Sequence, residues 1–260
     1  MNSKWKKVLT AAVAMALSLT MFSGCGGSVS KAPSDSQTPS ENLSDLPAEP
    51  NASDNVVMNI ASLKGPTGLG MLKLMANSDA SSAKKKYAFQ IVGQPDEIVS
   101  KLSTKELDIA AVPTNLAATL YNKTNGEVKM LAVNTLGVLY LVQKGEKIAS
   151  IQDLKGKIIL ASGKGTTAQY VLEYLLKKNG LTPGTDVTIE YKAEHAETVA
   201  ALAASEKAVA VLPQPFATSA TMKNSDITVA LDLTAEWGKI SDNKLTMGAS
   251  VVRKEFLEAH

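Results

Sequence analysis

Apolar and polar positions along residues 56–76 predict a strand, a glycine-rich turn and a helix in immediate succession. Residues 56–60 form an apolar, β-branched run, and the residues after the turn recur at the spacing of a buried helix face. That predicted face consists of Leu69, Leu72, Met75 and Ala76. The turn itself reads Lys64-Gly65-Pro66-Thr67-Gly68. It leaves backbone N–H groups unpaired at a helix start, which favours an anionic ligand, although a tight turn without a ligand explains it equally well.

Strands and helices continue to alternate along the rest of the chain. The predicted strands are 87–92, 108–112, 128–133, 138–142, 157–161, 187–192, 208–212 and 227–231. The predicted helices are 95–102, 113–121, 150–154, 169–178, 194–204 and 213–222. Regular alternation of this kind favours mostly parallel sheets with helices on both faces, in which ligands lie outside the carboxyl ends of the strands.

The second half of this series matches the first with a shift of about one hundred positions. Lys64-Gly65-Pro66-Thr67 aligns with Lys164-Gly165-Thr166-Thr167, residues 96–99 with 196–199, and residues 109–113 with 209–213. We therefore predict two similar α/β lobes that face one cleft. Thr67 and Thr167 should then lie on opposite walls of that cleft. Asn115 and Gln214, which follow the matched prolines Pro113 and Pro213, should supply a second pair of polar contacts.

The first 55 residues have a different composition. Lysines near the start and an apolar stretch over residues 8–22 predict a secretory signal over residues 1–25. Its end, Phe22-Ser23-Gly24-Cys25, resembles the lipobox of bacterial lipoproteins, with phenylalanine where leucine is usual. That resemblance implies a lipidated Cys25. Residues 26–55, rich in Ser, Pro, Asp, Glu, Ala and Asn, predict a disordered tether.

Composition and charge exclude several functional classes. The 260 residues are 45% hydrophobic and 20% charged, which suits a globular protein. Residues 56–260 contain 23 basic and 20 acidic residues that are spread along the chain. The sequence therefore shows no basic cluster of the kind that binds nucleic acids. With one cysteine, and with His195 and His260 as the only histidines, neither a disulfide framework nor a cysteine-based zinc site is expected. We predict no metal and no cofactor.

Catalytic signatures are missing from the sequence. Residues 162–167 lack the order of a phosphate-binding P-loop, and the chain has no Gly-x-Ser-x-Gly nucleophile elbow. We therefore expect a binding protein rather than an enzyme. His195, at a predicted helix start, is either a ligand contact or a surface histidine.

As a whole, the chain resembles the solute-binding proteins of bacterial ABC importers, in particular the nitrate, sulfonate and thiamine-precursor class. The motifs that carry the resemblance are Gly65-Pro66-Thr67-Gly68, Pro95-Asp96-Glu97-Ile98, Glu106-Leu107-Asp108-Ile109-Ala110, Asp153-Leu154-Lys155-Gly156-Lys157, Ser162-Gly163-Lys164-Gly165-Thr166 and Leu212-Pro213-Gln214-Pro215. The resemblance implies a type II periplasmic-binding-protein-like fold, with two doubly wound lobes and the ligand between them. Lobe 1 would comprise residues 56–137 and 243–260, and lobe 2 residues 138–242, with crossings near 134–137 and 241–247. Members of this class normally continue with further helices after the returning strand, so this sequence is either a fragment or leaves lobe 1 incompletely covered.

The function implied by the resemblance is the extracytoplasmic, lipid-anchored binding component of an importer, which passes a small anionic or polar solute to a permease and its ATPase. The predicted ligand-binding residues are Gly65, Pro66, Thr67, Gly68, Asn115, Gly165, Thr166, Thr167, His195, Gln214 and Phe216. Trp237 and Phe216 leave room for an aromatic ligand. A lipoprotein sensor is one alternative. Another alternative is an enzyme on the same fold, such as a menaquinone-pathway protein. A lipid anchor outside the cell would argue against such an enzyme.

Overall fold

The computed structural model describes residues 56–260. The predicted signal segment, the tether and the lipidation site at Cys25 lie outside these residues. Within the described part, no helix is both long enough and apolar enough to span a membrane.

Ten strands and nine helices follow one another along residues 56–260. The predicted alternation of strands and helices is present, but the helices at 233–238 and 254–259 were not predicted. The strands are β1 Val57–Leu63, β2 Lys86–Val92, β3 Ile109–Pro113, β4 Val128–Leu136, β5 Leu139–Lys144, β6 Ile158–Ser162, β7 Thr188–Lys192, β8 Ala208–Pro213, β9 Ile227–Asp232 and β10 Thr246–Arg253. The helices are α1 Pro66–Leu69, α2 Leu72–Asp79, α3 Pro95–Ser103, α4 Thr114–Lys123, α5 Thr167–Lys178, α6 His195–Ala204, α7 Phe216–Lys223, α8 Leu233–Gly238 and α9 Lys254–Ala259. A 3-10 turn, Ile151–Leu154, precedes β6.

The strands form two mixed sheets with the same internal order. Sheet 1 runs β2-β1-β3-β10-β4 and sheet 2 runs β7-β6-β8-β5-β9. In each sheet four strands run in the same direction, and the fifth, β10 or β5, pairs antiparallel with both of its neighbours. We call sheet 1 with its helices lobe 1, and sheet 2 with its helices lobe 2. The predicted fold class of two similar α/β lobes is confirmed.

Each lobe buries its own apolar core. In lobe 2, Leu139, Leu172 and Leu175 belong to a cluster on one face of the sheet, and Leu202 and Leu212 belong to a cluster on the other. All five side chains are at most 1% exposed. The core therefore holds α5, and with it Thr167 at its first position, rigidly against sheet 2.

The first helix departs from the prediction. It is interrupted at Gly70 and Met71, Leu69 and Leu72 are 40% and 53% exposed, and Met71 is buried instead. The predicted buried face is therefore wrong, because positions on either side of the interruption no longer share one side of a helix. At this interruption a Cβ on Gly70 would lie 2.7 Å from the carbonyl oxygen of Asn134, so the chain comes too close to β4 for a side chain.

The chain crosses from lobe 1 to lobe 2 at Gly137 and Val138. Both residues have positive φ angles, 62° and 69°. The N–H of Gly137 donates to the carbonyl of Leu245 at 2.9 Å, and the N–H of Gln214 donates to the carbonyl of Val138 at 3.0 Å. The outgoing and returning crossings are thus hydrogen-bonded side by side.

A buried ion pair joins three elements at the end of sheet 1 where β1 and β3 begin. Arg253 Nη2 lies 2.7 Å from Asp108 Oδ1, and the two side chains are 14% and 7% exposed. The other carboxylate oxygen of Asp108 accepts from the Asn59 N–H at 2.8 Å, and Arg253 Nε donates to the Leu107 carbonyl at 2.8 Å. This pair ties β10 to the two strands that carry the loops of the site.

Candidate functional site

A small cavity lies where β1 and β3 of lobe 1 face β6 and β8 of lobe 2, at the carboxyl ends of these strands. Its volume is about 80 Å³. Residues from both lobes line it: Leu63, Lys64, Pro66, Thr67, Pro113, Thr166, Thr167, Ala168, His195, Pro213 and Met247. Since ligands in open α/β sheets bind at this end of the strands, the cavity is the candidate binding site.

Thr67 is the distinctive polar group of the lobe 1 wall. The residue is 6% exposed, and its hydroxyl has no hydrogen-bond partner among the described residues. Its position is tightly constrained, because a Cβ on Gly248 would lie 2.9 Å from Thr67 Cγ2. A buried hydroxyl without a partner loses its hydration and gains no hydrogen bond in return. Ser62 and Thr114 have unpartnered buried hydroxyls as well, but of these three residues only Thr67 lines the cavity.

The lobe 2 wall is built by the turn that leads into α5. Thr166 Oγ1 donates to the Gly163 carbonyl at 2.6 Å, and Gly163 and Gly165 have positive φ angles of 73° and 79°. This tight turn places Thr167 and Ala168 at the start of a 12-residue helix, on the cavity surface. The N–H groups of a first helical turn have no partner inside the helix and lie at the positive end of its dipole, so they favour an anion.

His195 closes the cavity from α6. Its Nδ1 lies 2.5 Å from Ser162 Oγ, and its ring centroid lies 4.8 Å from that of Phe216. Burial lowers the pKa of His195 from 6.5 to about 4, although the nearby Glu194 charge opposes this shift. The ring is therefore neutral at neutral pH. Since the described residues provide the Ser162 hydroxyl with no other hydrogen-bond partner, we assign its hydrogen to Nδ1, which leaves the ring hydrogen on Nε2.

The two lobes touch directly around the cavity. Asn115 Nδ2 donates to the Gly165 carbonyl at 2.8 Å, and Thr167 Oγ1 donates to Asn115 Oδ1 at 3.0 Å. At the edge of the cavity, Lys64 Nζ lies 3.7 Å from a carboxylate oxygen of Glu194. These contacts join the two lobes beside the cavity.

Nine of the eleven predicted ligand-binding residues lie in or next to the cavity. Pro66, Thr67, Thr166, Thr167 and His195 line it. Asn115 and Gly165 form the contact between the lobes, and Gly65 lies against His195 and Phe216, since a Cβ there would be 3.7 Å from both rings. Gly65 has a φ angle of 118°, which favours glycine at this point of the wall.

Gly68 and Gln214 lie elsewhere. A Cβ on Gly68 would meet the Leu63 carbonyl at 2.9 Å, so this glycine serves packing within lobe 1. The side-chain oxygen Oε1 of Gln214 accepts from the Thr218 hydroxyl at 2.9 Å, at the start of α7. The two threonines also differ from expectation, because the Thr167 hydroxyl already bonds to Asn115 whereas that of Thr67 is unpaired.

Sequence reasoning missed Ser162, Ala168 and Met247 as parts of the site. The sequence could have indicated Ser162, because the hundred-residue shift aligns it with Ser62. Both serines are buried near the end of their strands. Met247 had none, because it reaches the cavity from β10, far away in the sequence.

Trp237 and Phe216 do not form one aromatic site. Phe216 packs on His195, whereas Trp237 lines a separate cavity of about 450 Å³ with Tyr170 and Tyr174. The rings of Tyr174 and Trp237 are 5.4 Å apart. Asn115 and Thr167 line this second cavity as well, so aromatic rings lie beside two of the predicted ligand-binding residues.

Comparisons with known proteins identify relatives of this arrangement. The sequence model of the phosphonate ABC transporter periplasmic substrate-binding proteins matches residues 80–253, two thirds of the chain. A comparison with curated protein sequences gives no significant match.

Solved structures share the fold. An ABC transporter protein from Parabacteroides distasonis is 27% identical with a TM-score of 0.62, over 78% of this chain and 68% of that one. The alkanesulfonate-binding protein SsuA from Xanthomonas axonopodis pv. citri, bound to MOPS, is 19% identical with a TM-score of 0.59, over 80% and 69%. The aliphatic sulphonate-binding protein SsuA from Escherichia coli is 17% identical with a TM-score of 0.57, over 78% and 63%.

Proposed function

The chain belongs to the periplasmic substrate-binding proteins of phosphonate ABC transporters, and on that premise we propose that it captures a small oxyanion between its two lobes and delivers it to a membrane permease. One observation carries the proposal. Thr67, whose hydroxyl is buried and has no partner among the described residues, lines the same small cavity as the first turn of α5. An oxyanion accepts hydrogen bonds from both groups at once, and neither lobe alone offers both.

The charge around the cavity supports an anion. Lys64 is one of the lining residues, with a Glu194 carboxylate oxygen 3.7 Å from its Nζ, and none of the lining residues described is Asp or Glu. The neutral His195 adds a hydrogen-bond donor through Nε2 without a charge of its own. Donors held in place before the ligand arrives lose little entropy on binding, which favours a tight and selective site.

The remaining parts of the proposal concern the whole protein. Lobe 1 extends over residues 56–137 and 243–260, and lobe 2 over residues 138–242. Cys25 is the lipidated N-terminus of the mature chain, which anchors it outside the cell through two acyl chains, enough for stable attachment. The partners are an ABC permease and its ATPase. Closure is a hinge motion that the ligand favours through its better fit to the closed form.

A lipoprotein sensor that uses the same cavity is the second candidate. The cavity suits both roles. Genes for a permease and an ATPase in the same operon would show that the protein serves an importer rather than a sensor. An enzyme is not proposed, since the family consists of transporter binding proteins and the sequence carries no catalytic signature.

A thermal-shift screen of the full-length chain tests the class of ligand. Phosphonates, sulfonates and phosphite are expected to raise the unfolding temperature in proportion to the logarithm of their concentration above Kd. Neutral aromatic compounds such as pyrimidines are expected to leave it unchanged. Stabilisation by the neutral aromatic set alone would refute the oxyanion proposal.

Substitution Thr67→Val separates binding from stability. Valine has nearly the shape of threonine and removes a buried hydroxyl that lacks a partner, so the empty protein should keep or slightly raise its free energy of unfolding. Binding should weaken by about 10- to 100-fold, which is the value of a hydrogen bond to a charged group. Isothermal titration calorimetry and denaturant unfolding measure the two quantities.

Substitution Thr124→Val is the matched control. The Thr124 hydroxyl donates to the Leu120 carbonyl at 2.7 Å and accepts from the Val128 N–H at 3.0 Å, both within lobe 1. We expect this variant to lose stability by about 1 kcal/mol and to keep its affinity. A Thr67→Val protein that binds as well as the parent would contradict the assigned role of Thr67.

A further inference from the structure

A second cavity between the lobes, which we call the aromatic groove, has no part in the oxyanion site. Its volume is about 450 Å³. Helix α4 and strand β10 contribute to it from lobe 1, and helices α5 and α8 contribute from lobe 2. The lining residues described are Thr114, Asn115, Ala118, Thr167, Tyr170, Val171, Tyr174, Trp237, Lys244, Leu245 and Thr246. Since pockets for small organic molecules measure roughly 300–1,000 Å³, the groove has the size of a ligand site.

Aromatic side chains are concentrated in this groove. Of the ten Phe, Tyr and Trp residues in 56–260, three line it, namely Tyr170, Tyr174 and Trp237. Tyr170 and Tyr174 are four positions apart on α5, so they lie on one face of the helix, and they are 52% and 39% exposed. Single exposed apolar residues are ordinary, whereas a cluster of them marks a binding surface.

The aromatic surface is held in place by the protein. Trp237 Nε1 donates to the Asn243 carbonyl at 2.8 Å, and the indole packs against the core of lobe 2. The rings of Trp237 and Tyr174 have centroids 5.4 Å apart, which leaves no space for a third ring between them. A ligand ring therefore packs against the exposed side of this pair and against Tyr170. Rings that are fixed before the ligand arrives lose little entropy on binding.

The charge of the groove favours an anion. Lys244 is exposed and lines the groove, and none of the lining residues described is Asp or Glu. Lys178 Nζ lies 5.4 Å from the centroid of the Tyr174 ring. The starts of α4 and α5 meet here, where the Asn115 N–H donates to Thr167 Oγ1 at 3.2 Å. The positive ends of both helix dipoles therefore lie at the groove.

Acidic side chains lie near the groove without lining it. Asp232 and Asp242 line a neighbouring cavity that shares Trp237 and Lys244. They do not belong to the surface that carries Tyr170, so a ligand that packs there meets the lysine and the helix starts rather than the carboxylates.

We propose that the aromatic groove is a second binding site, which takes a planar aromatic anion of one or two fused rings. A cavity of about 150 Å³ in another protein accommodates benzene, so by that comparison the groove has room for about eighteen non-hydrogen atoms. Two fused rings with a carboxylate have about thirteen and fit within that limit. The proposal goes beyond the proposed function and does not depend on it, because a different set of side chains carries it.

Calorimetric titration of the full-length chain with 2-naphthoate tests the ligand class. Two analogues serve as controls: 2-naphthamide keeps the rings and lacks the charge, and decahydro-2-naphthoate keeps the charge and lacks the planar rings. We expect the amide to bind at least tenfold more weakly than 2-naphthoate, because it loses the attraction of Lys244 and of the helix starts. The saturated acid should bind at least fivefold more weakly, because it cannot stack. No binding of 2-naphthoate, or equal binding of the saturated acid, would overturn the proposal.

Two substitutions on α5 connect the binding to the groove. Tyr170→Ala and Tyr174→Ala should each weaken 2-naphthoate by about 5- to 10-fold, which is the contribution of one aromatic contact. Tyr121→Ala is the matched control, since Tyr121 is 53% exposed on α4 and does not line the groove, and it should bind at the parental level. Lys244→Met should reduce the preference for 2-naphthoate over 2-naphthamide by about threefold. Parental affinity in both folded α5 variants would refute the proposal.

The variant Thr67→Val separates the groove from the oxyanion cavity. Thr67 lines that cavity and not the groove, so 2-naphthoate should bind to Thr67→Val as it does to the parent. If Thr67→Val instead lost 2-naphthoate while the two α5 variants kept it, the carboxylate would occupy the oxyanion cavity and the second site would be rejected. Binding of 2-naphthoate without any binding of phosphonates or sulfonates would uphold the groove and refute only the oxyanion function.

Discussion

Replacing Arg253 with alanine is expected to lower the free energy of unfolding by about 3–5 kcal/mol. The reason is the partner that stays behind: Asp108, whose side chain is 7% exposed, would remain buried without its cation at 2.7 Å. A buried carboxylate without a counter-charge is strongly destabilising, whereas the intact pair adds little over an apolar substitute. Urea unfolding followed by circular dichroism measures the loss.

A double substitution distinguishes the unpaired charge from simple loss of packing. Asp108→Asn combined with Arg253→Met removes both charges and keeps most of the volume, so it should recover much of the stability that Arg253→Ala loses. Lys105→Ala is the matched control, because it breaks a solvent-exposed ion pair with Glu255 at 2.6 Å and should hardly change the unfolding midpoint. Equal losses in the double variant and in Arg253→Ala would show that the charges are not the cause.

Acidification from pH 6.5 to pH 4 is expected to remove about 3 kcal/mol of stability through His195 alone. Burial lowers its pKa from 6.5 to about 4, so in this range the unfolded chain binds a proton that the folded protein does not. The contribution of His195 is therefore fully present above about pH 6.5, and it is lost progressively as the pH falls to about 4. Below that value the folded protein is protonated as well, and the contribution is constant.

The measurement is the pH dependence of urea unfolding in the parent and in His195→Gln. The variant lacks the titrating ring, so its stability should change less between pH 6.5 and pH 4. Hydrogen bonds from the Ala149 N–H and from Ser150 lower the pKa of Asp153, and this effect is common to both proteins and cancels in the difference. Identical pH profiles of the two proteins would contradict the buried, neutral state of His195.

The fold was predictable because its signals are local and repeated. Apolar runs of four to six residues end at glycine or proline in both halves, so the strand predicted over 208–212 matches β8, Ala208–Pro213. The first helix was not predictable for the opposite reason. Its apolar spacing continues past Gly70, whereas the helix is interrupted there, where the chain packs against Asn134, 64 positions away.

The candidate site was predictable in location and only partly in detail. The hundred-residue shift places Thr67 and Thr167 at equivalent helix starts, and both line the one cavity. Their hydroxyls nevertheless have different partners, since Thr167 bonds to Asn115 across the lobes and Thr67 bonds to no described residue. Whether a hydroxyl is paired depends on side-chain geometry between segments about fifty positions apart, which no local pattern contains.

The antiparallel strands also determine when each lobe can be completed as the chain leaves the ribosome. All five strands of lobe 2 lie between Leu139 and Asp232, so its sheet can close as soon as that stretch is synthesised. The sheet of lobe 1 cannot be completed until β10, residues 246–253, has been synthesised, because β10 lies between β3 and β4. Until then β4 lacks its neighbour in the sheet, and its unpaired backbone edge is open to aggregation or to chaperones. Lobe 2 should therefore fold first, against the usual order of synthesis from the N-terminus.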